Sequence, residues 1–457
     1  MKRILIIFAL LAVFASCKKS NEEIFNKKPE ERLSISVSDA KASLLSAQNG
    51  WIATLPTAAG GGYGFYMSFD ESQNVKMLGD LNTAAISTSA TSTYRLKAVM
   101  GTELIFDTFN YISLLVDPVP SVFGGAAGSG YKSDIEFLFT RSTADTLVLT
   151  GKKYGQVMKL VKATAAQKTS YENGGYKTAI DKFKSFFTVT KNPYIEITSG
   201  SNTLKVGMTF DFNNTLATGK RVNFSGLLAD GQTIGKGTAK FGFTIDGAEL
   251  VEAGLVYQGI TFKRYAWKDA TTLAIYDSAG KEYIIKSNAT PLIPLHLALG
   301  VSYPSVSLPN ATTYPGWSTD FSTRRALAHT RMNSNIVVSN QPISLGTMRF
   351  TFNDITKVMS LVINTPYGTA GASLNLTYNY SYTKTDVGVY KFTINPSMDS
   401  NSQFVYNQAS NPLHPLLHER INVDTFTVDY MVHPTTGALL AMFTSVQNPT
   451  FTFTGTI

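Results

Sequence analysis

Cysteine is nearly absent from this sequence, which contains only Cys17 among 457 residues. With no second cysteine, the chain cannot form an internal disulfide or a cysteine-based zinc site. Charged residues are also scarce, at 16% of the sequence, and the lysines and arginines are scattered along the chain. Nucleic-acid binding requires basic residues clustered on one face, so we expect no nucleic-acid partner.

The motifs of common enzyme classes are missing as well. The glycine-rich strings at 60–62 and 124–130 contain no Gly-Lys-Ser/Thr, and both lead into predicted strands rather than helices. They therefore lack the helix N-terminus that binds phosphate, and we expect them to be hairpin connections or barrel-mouth loops. No Gly-x-Ser-x-Gly string, which would indicate a catalytic serine, is present.

Histidine is rare, and the sequence has one dense pair. His414 and His418 are four residues apart, a spacing that on a helix places two metal ligands on one face, with Glu419 or the distant His433 as a third. Pro412 and Pro415 disfavour a helix through both histidines. We therefore prefer a surface loop, keep a metal site as the alternative, and expect no cofactor.

Long apolar runs are confined to the start of the chain. Lys2 and Arg3 precede the apolar residues 4–14, a run of 11. As a helix this run would span only about 17 Å, well short of the roughly 30 Å bilayer core. A charged start, a short apolar run and small residues before Cys17 predict a secretory signal peptide over residues 1–16. If Cys17 occurs here only by chance, the segment is an ordinary signal peptide.

Residues 13–17, Val-Phe-Ala-Ser-Cys, resemble the bacterial lipobox, whose cysteine becomes the first mature residue and carries acyl chains such as palmitate. We therefore predict lipidation of Cys17 and attachment to a membrane through that lipid. The polar stretch that follows predicts a lipidated tether over 17–32. Glu22 and Glu23 resemble a surface-export signal of Bacteroidota lipoproteins. The predicted location is the outer membrane, exposed at the cell surface, with a periplasm-facing protein as the alternative.

Alternation of apolar and polar residues is the dominant pattern in the rest of the chain. In 374–382 the large side chains occupy every second position, and 204–212, 426–432 and 451–457 repeat this pattern. One buried and one solvated face is typical of antiparallel sheets. The sequence therefore predicts a mainly β protein built from consecutive antiparallel units, with closed barrels and open sandwiches both possible.

Three short helices are predicted, at 39–48 with Ser38 as its N-cap, at 176–187 and at 321–332. The first and the last each lead into a predicted β-hairpin, which suggests repeated units. A proline-rich stretch separates the second unit from the third. The predicted organisation is a β unit at 33–165, a second at 171–290, a linker at 291–319 and a C-terminal β unit at 320–457.

Several phrases between about 38 and 165 resemble one known family. They are Gln-Asn-Gly-Trp at 48–51, Gly-Gly-Gly-Tyr-Gly-Phe-Tyr at 60–66, and the strings at 104–110, 134–137 and 149–153. Together they are similar to a lipoprotein family of Bacteroidota built on domain of unknown function 4302. The resemblance implies export, lipidation, β-rich structure and association with nutrient uptake at the outer membrane. It supplies no catalytic residues.

Exposed aromatic rings are the candidate ligand-binding groups. Trp267 and Trp317 lie near predicted loops and Tyr382 near the end of its strand, whereas Tyr378 and Tyr380 are predicted to be core residues. Aromatic faces stack on sugar rings, so these positions are candidates for binding sugars.

We expect a non-catalytic binding or accessory role in surface nutrient acquisition, because no coherent catalytic set is apparent. The alternatives are a hydrolase acting on glycan or peptide and a structural subunit of a transporter complex. Candidate partners are the membrane, through the lipid anchor, and an outer-membrane transporter or other surface lipoproteins.

Overall fold

The computed structural model describes residues 28–98, 101–368 and 371–457. The predicted signal peptide 1–16, the predicted lipidation site Cys17 and residues 18–27 of the predicted tether lie outside the described residues. The described chain is mainly β with antiparallel sheets, which confirms the predicted fold class.

The first barrel is closed by eight strands, each paired antiparallel with the next, and β8 returns to β1. Because strand side chains alternate, one face of every strand points inward, and large residues such as Trp51, Tyr63, Phe65 and Phe106 are at most 2% exposed. Side chains thus fill the interior. The strands are β1 (Trp51–Pro56), β2 (Gly62–Phe69), β3 (Asn74–Gly79), β4 (Ala90–Ala98), β5 (Thr102–Phe106), β6 (Glu136–Ser142), β7 (Thr146–Gly151) and β8 (Val157–Lys162).

The middle sheet has nine strands in the order β17-β16-β15-β13-β12-β11-β10-β9, with β14 paired to β15. Its two ends meet at a single antiparallel bridge between Tyr194 and Lys286. The strands are β9 (Tyr194–Ser199), β10 (Asn202–Asp211), β11 (Arg221–Leu227), β12 (Ile234–Thr244), β13 (Gly247–Leu250), β14 (Leu255–Tyr257), β15 (Ile260–Trp267), β16 (Leu273–Asp277) and β17 (Glu282–Ile284).

The second barrel is also closed by eight antiparallel strands, because its last strand pairs with its first. A separate two-stranded ribbon, β19 (Val337–Val338) and β20 (Gln341–Pro342), lies between its first two strands in sequence. The barrel strands are β18 (Ser305–Leu308), β21 (Met348–Asn353), β22 (Val358–Tyr367), β23 (Ala372–Lys384), β24 (Val389–Ile394), β25 (Thr425–Val432), β26 (Leu439–Ser445) and β27 (Thr452–Thr456).

Helices occupy the connections. The three predicted helices correspond to α1 (Pro29–Leu45), α5 (Gly175–Val189) and α7 (Thr319–Asn335). The shorter helical segments are α2 (Thr83–Ser87), α3 (Pro120–Phe123), α4 (Ala165–Glu172), α6 (Leu295–Ala298), α8 (Ser400–Tyr406), a 3₁₀ turn (Ser113–Leu115) and a π-helical turn (Leu417–Ile421). Ser38 is not the N-cap of α1, because Pro29 occupies the first turn and the helix therefore begins earlier. Within 28–98, 101–368 and 371–457, no helix is both long and apolar enough to cross a membrane.

The predicted linker at 291–319 needs a correction. It contains α6 and also β18, which pairs with β21 and β27 and so belongs to the second barrel. Pro304 and Pro309 flank β18 rather than interrupt it, a position in which proline does not remove a ladder hydrogen bond.

The described chain forms two compact units. The first contains the described residues up to 181 together with 211–221 and 240–252, and the second contains 182–210, 222–239 and 253–457. The first unit holds the complete first barrel and the second holds the complete second barrel. Each barrel has its own buried apolar core.

Candidate functional site

A cavity of about 480 Å³ lies at one end of the first barrel. Small-molecule sites typically measure about 300–1,000 Å³. The connection between β5 and β6 forms one side of the cavity, and the turn between β7 and β8 forms the other. The lining residues are Val116, Gly128, Ser129, Ser133, Asp134, Ile135, Glu136, Lys152, Lys153 and Tyr154.

The glycine-rich loop at 124–130 forms part of the rim, through Gly128 and Ser129. Gly130 has a φ of 54°, and a Cβ at this position would lie 2.8 Å from the carbonyl oxygen of Leu115. Only glycine adopts this conformation without strain so close to the 3₁₀ turn. The loop is therefore part of a barrel-mouth connection, as its sequence predicts.

Asp134 holds the two sides of the cavity together. Its side chain is buried, and its carboxylate accepts hydrogen bonds from the backbone N–H of Lys153 at 2.7 Å and of Tyr154 at 3.1 Å. A Cβ on Gly151 would lie only 2.1 Å from this carboxylate, so glycine is required there. The start of β6 is in this way fastened to the turn after β7.

Ser133 directly precedes Asp134 and is 2% exposed. Its Oγ has no hydrogen-bond partner within the described part of the chain. Buried hydroxyl groups in proteins are normally hydrogen-bonded, so this Oγ keeps an unused donor and acceptor beside the cavity.

Lys152 joins two carboxylates at the side of the cavity. Its Nζ donates to Glu103 and to Glu136, each at 3.0 Å, and the Glu103 side chain is only 3% exposed. Hydrogen bonding to Glu103, and then to Glu136, raises the pKa of Lys152 above its usual value. The ammonium group therefore stays charged at neutral pH and neutralises the buried Glu103.

Apolar groups form the remaining wall, with Val116, Ile135 and the half-buried ring of Tyr154. The ammonium of Lys153 lies 4.9 Å from the centroid of the Tyr154 ring. The cavity thus combines fixed polar groups with apolar surface, as small-molecule sites commonly do.

The two tryptophans predicted as ligand-binding groups do not line this cavity. Trp267 is the last residue of β15, and the Lys182 ammonium lies 3.6 Å from the centre of its ring. Trp317 donates its indole N–H to the carbonyl of Thr454 at 2.9 Å and packs beside Arg325. Both rings thus contact other residues of the second unit.

Tyr382 is buried, at 4% exposure, and packs against Phe352, Tyr390 and Phe392. Its hydroxyl donates to the carbonyl of Asn353 at 3.2 Å, and burial raises its pKa to about 12. Its ring is therefore part of the second-barrel core, together with the fully buried Tyr378 and Tyr380 of the same strand.

His414 and His418 stack face to face, with ring centroids 5.1 Å apart. The Nδ1 of His414 lies 3.0 Å from Glu419, while the Asn411 amide lies 3.0 Å from Nε2 of His418. No group of three or more His, Cys, Asp or Glu side chains in the described chain is arranged to hold a metal ion.

Sequence reasoning missed the residues that line the cavity. The only signals were the Ser-Asp pair before a predicted strand and the Gly-Lys-Lys-Tyr turn after another. Neither string shows that the two segments meet, because their contact depends on how β6, β7 and β8 pair.

Comparison with known families gives one match. The family model described as "Domain of unknown function (DUF4302)" matches residues 21–269, more than half of the chain, and ends just after β15. No curated protein matches this chain.

Proposed function

Since the chain belongs to the DUF4302 family, we propose that it is an exported outer-membrane lipoprotein of a Bacteroidota cell, anchored through Cys17 and exposed at the surface. In this proposal it is a non-catalytic binding or accessory component of nutrient acquisition. Support for export and anchoring comes from the order of residues 1–17: a charged start, an apolar run and a lipobox-like cysteine.

The cavity of the first barrel carries the binding part of the proposal. Asp134 is fixed by two backbone N–H groups and Lys152 by two carboxylates, so these groups are held in place by the protein itself. Rigid polar groups around a partly apolar cavity suit the binding of a ligand. The hydroxyl of Ser133, which has no partner within the described residues, is the group in this cavity most open to a ligand hydrogen bond.

Anchoring is tested by intact mass and detergent partitioning of the wild type and of Cys17→Ala. We expect the wild type to carry acyl mass and to enter the detergent phase, and the variant to do neither. Ser16→Ala keeps a small residue before the cysteine and serves as the control, which should behave like the wild type. A wild type without acyl mass, together with a Cys17→Ala variant that stays with membranes, would refute the anchor.

The role at the surface is tested by copurification from crosslinked outer membranes, alongside glycan and peptide binding arrays. Binding of a soluble compound without turnover supports the proposal. Turnover that one Asp or Glu substitution abolishes would make the protein a hydrolase. A stable complex with a transporter and no soluble ligand would make it a structural subunit.

A further inference from the structure

The buried groups of the cavity differ in which hydrogen bonds they lack. Ser133 Oγ has no partner in the described chain, and a hydroxyl can both donate and accept. Asp134 is acceptor-only when ionised, and a carboxylate has about four lone-pair positions. Its bonds from the Lys153 and Tyr154 backbones leave capacity for further donors. A fitting ligand therefore offers O–H or N–H donors to Asp134 and a hydroxyl or equivalent group to Ser133.

The charges around the cavity nearly cancel, since Lys152 also pairs with the buried Glu103, which lies outside the lining. Its lining contains two acidic residues, Asp134 and Glu136, and two basic residues, Lys152 and Lys153. Lys152 is already bonded to carboxylates, and the Lys153 ammonium lies over the Tyr154 ring. A phosphate or carboxylate ligand would have to compete for these cations, and a free amino acid would need counter-charges at both of its ends. The balance favours a neutral ligand.

The apolar wall of Val116, Ile135 and Tyr154 requires that one side of the ligand be non-polar. Pyranose rings meet these conditions together, because they carry hydroxyl donors and acceptors on their edges, expose C–H groups on their faces and have no charge. An aromatic ring beside hydrogen-bonding side chains suits such a ligand.

We infer that this cavity binds a neutral saccharide, with its hydroxyls bonded to Ser133 and Asp134 and one face of its ring against Tyr154. The inference rests on the proposed binding function and names its ligand class.

The test is titration calorimetry on purified full-length protein. The probes are glucose, galactose, mannose and their β-linked disaccharides, with glucuronate, alanine, dialanine and inorganic phosphate for comparison. We expect at least one neutral saccharide to bind and the charged compounds to bind more weakly. Ser133→Ala should weaken saccharide binding roughly five- to tenfold, the effect of one lost hydrogen bond. Tyr154→Ala should weaken it about tenfold, and Tyr154→Phe, which keeps the ring, should not.

Ser92→Ala is a matched control for Ser133→Ala. Ser92 lies in β4 of the same barrel, is 6% exposed, and its Oγ is likewise without a hydrogen-bond partner in the described chain, but it does not line the cavity. Neither substitution breaks a protein hydrogen bond, so both variants should fold and melt like the wild type. Only Ser133→Ala should lose saccharide affinity.

Three results would overturn the inference. Saccharide binding that neither Ser133→Ala nor Tyr154→Ala changes would place the ligand elsewhere. Binding of alanine, dialanine or phosphate that depends on Ser133, without saccharide binding, would refute the ligand class and leave the binding function standing. Failure of every probe would also refute the ligand class, while the copurification experiment decides the accessory role separately.

Discussion

The two closed barrels differ most in the connection between their fifth and sixth strands. This connection is long in both, spanning 107–135 in the first barrel and 395–424 in the second. In the second barrel it contributes Leu413, Leu416, Leu417 and Ile421 to the core, each at most 2% exposed. In the first barrel this connection also buries Ile112, Leu115 and Tyr131, but its Val119 and Val122 are each 50% exposed and it forms one side of the cavity. The same topology thus supports a packed connection in both barrels, with a cavity beside the first.

A buried aspartate lies at the end of each connection. Asp134 precedes β6 and accepts from two backbone N–H groups in the turn between the seventh and eighth strands. Asp424 precedes β25 and accepts from Ser445 Oγ at 2.7 Å and from the Asn448 amide at 3.1 Å, at and after the end of the seventh strand. Both barrels therefore have a buried aspartate that holds this connection near the end of the seventh strand, and they differ in the space beside that aspartate.

The largest expected effect comes from the packed connection. Leu417→Ala in the second barrel should lower the free energy of unfolding by about 2–5 kcal/mol, because it leaves a cavity in the core. Val122→Ala, at a half-exposed position of the first-barrel connection, should change that free energy by no more than about 0.5 kcal/mol. Urea unfolding measures both. Equal losses would show that burial does not set the cost at these two positions.

Removal of either buried aspartate should have an intermediate effect on stability. Asp134→Ala and Asp424→Ala should each cost about 1–3 kcal/mol, because buried donors lose their acceptor. Asp134→Asn keeps one acceptor oxygen and should cost less. Thermal melts of the three variants provide the measurement. If Asp134→Ala were as stable as the wild type while Asp424→Ala was not, the two aspartates would not be equivalent.

A smaller difference is expected between two buried serines. Ser445→Ala should cost about 0.5–1.5 kcal/mol, because it removes the hydroxyl that donates to Asp424. Ser133→Ala should stay within about 0.5 kcal/mol, because its hydroxyl has no partner in the described chain. The midpoints of urea unfolding of both variants, measured at one pH, test this difference in stability. A clear loss for Ser133→Ala would mean that its hydroxyl is structural.

The smallest expected change is pH dependence of the second-barrel connection. Burial, and then His414, lowers the pKa of His418 below its usual 6.5, and a hydrogen bond from Arg324 lowers the pKa of Glu419 below 4.5. Both pKa values are lower in the folded state, so the stability from these groups is present at neutral pH. It is lost as the pH falls, first below 6.5 through His418 and then below 4.5 through Glu419.

Hydrogen exchange at pH 7 and pH 5, corrected for intrinsic rates, measures this dependence. Protection of residues 411–424 should fall at pH 5, while residues 130–136 of the first barrel should change less. His418→Gln should reduce the fall. An equal fall in both connections would mean that these side chains do not set the pH dependence.

The β architecture was predictable because alternation along a strand has a local cause. Each residue at 374–382 faces either the core or the outside, and Tyr378 and Tyr380 are fully buried as expected. The helix at 176–187 was predictable for a similar reason, since Tyr176, Ile180 and Phe183 form one buried stripe. The predicted start of α1 was wrong because Pro29, which strongly favours the first turn of a helix, was not taken into account.

The cavity was not predictable, because it depends on contacts between segments that are distant in sequence. Ser133 and Tyr154 line one cavity only because β6 pairs with β7 and β7 with β8. Trp267 and Trp317 were reasonable candidates, since both lie near loops. Sequence alone could not show that Lys182 covers one ring and that Thr454 accepts a hydrogen bond from the other.

The place where the two ends of the middle sheet meet has a consequence for how such a chain can change over evolutionary time. Tyr194 and Lys286 exchange backbone hydrogen bonds of 2.9 and 2.8 Å, and the N–H of Asn288 donates to the carbonyl of Lys191 at 3.0 Å. The chain therefore enters and leaves this sheet at one place. Segments whose ends adjoin are those in which insertion and permutation are tolerated. The stretch from 191 to 288 therefore begins and ends at one place, but its residues 211–221 and 240–252 belong to the first compact unit, so losing the stretch would disrupt that unit as well.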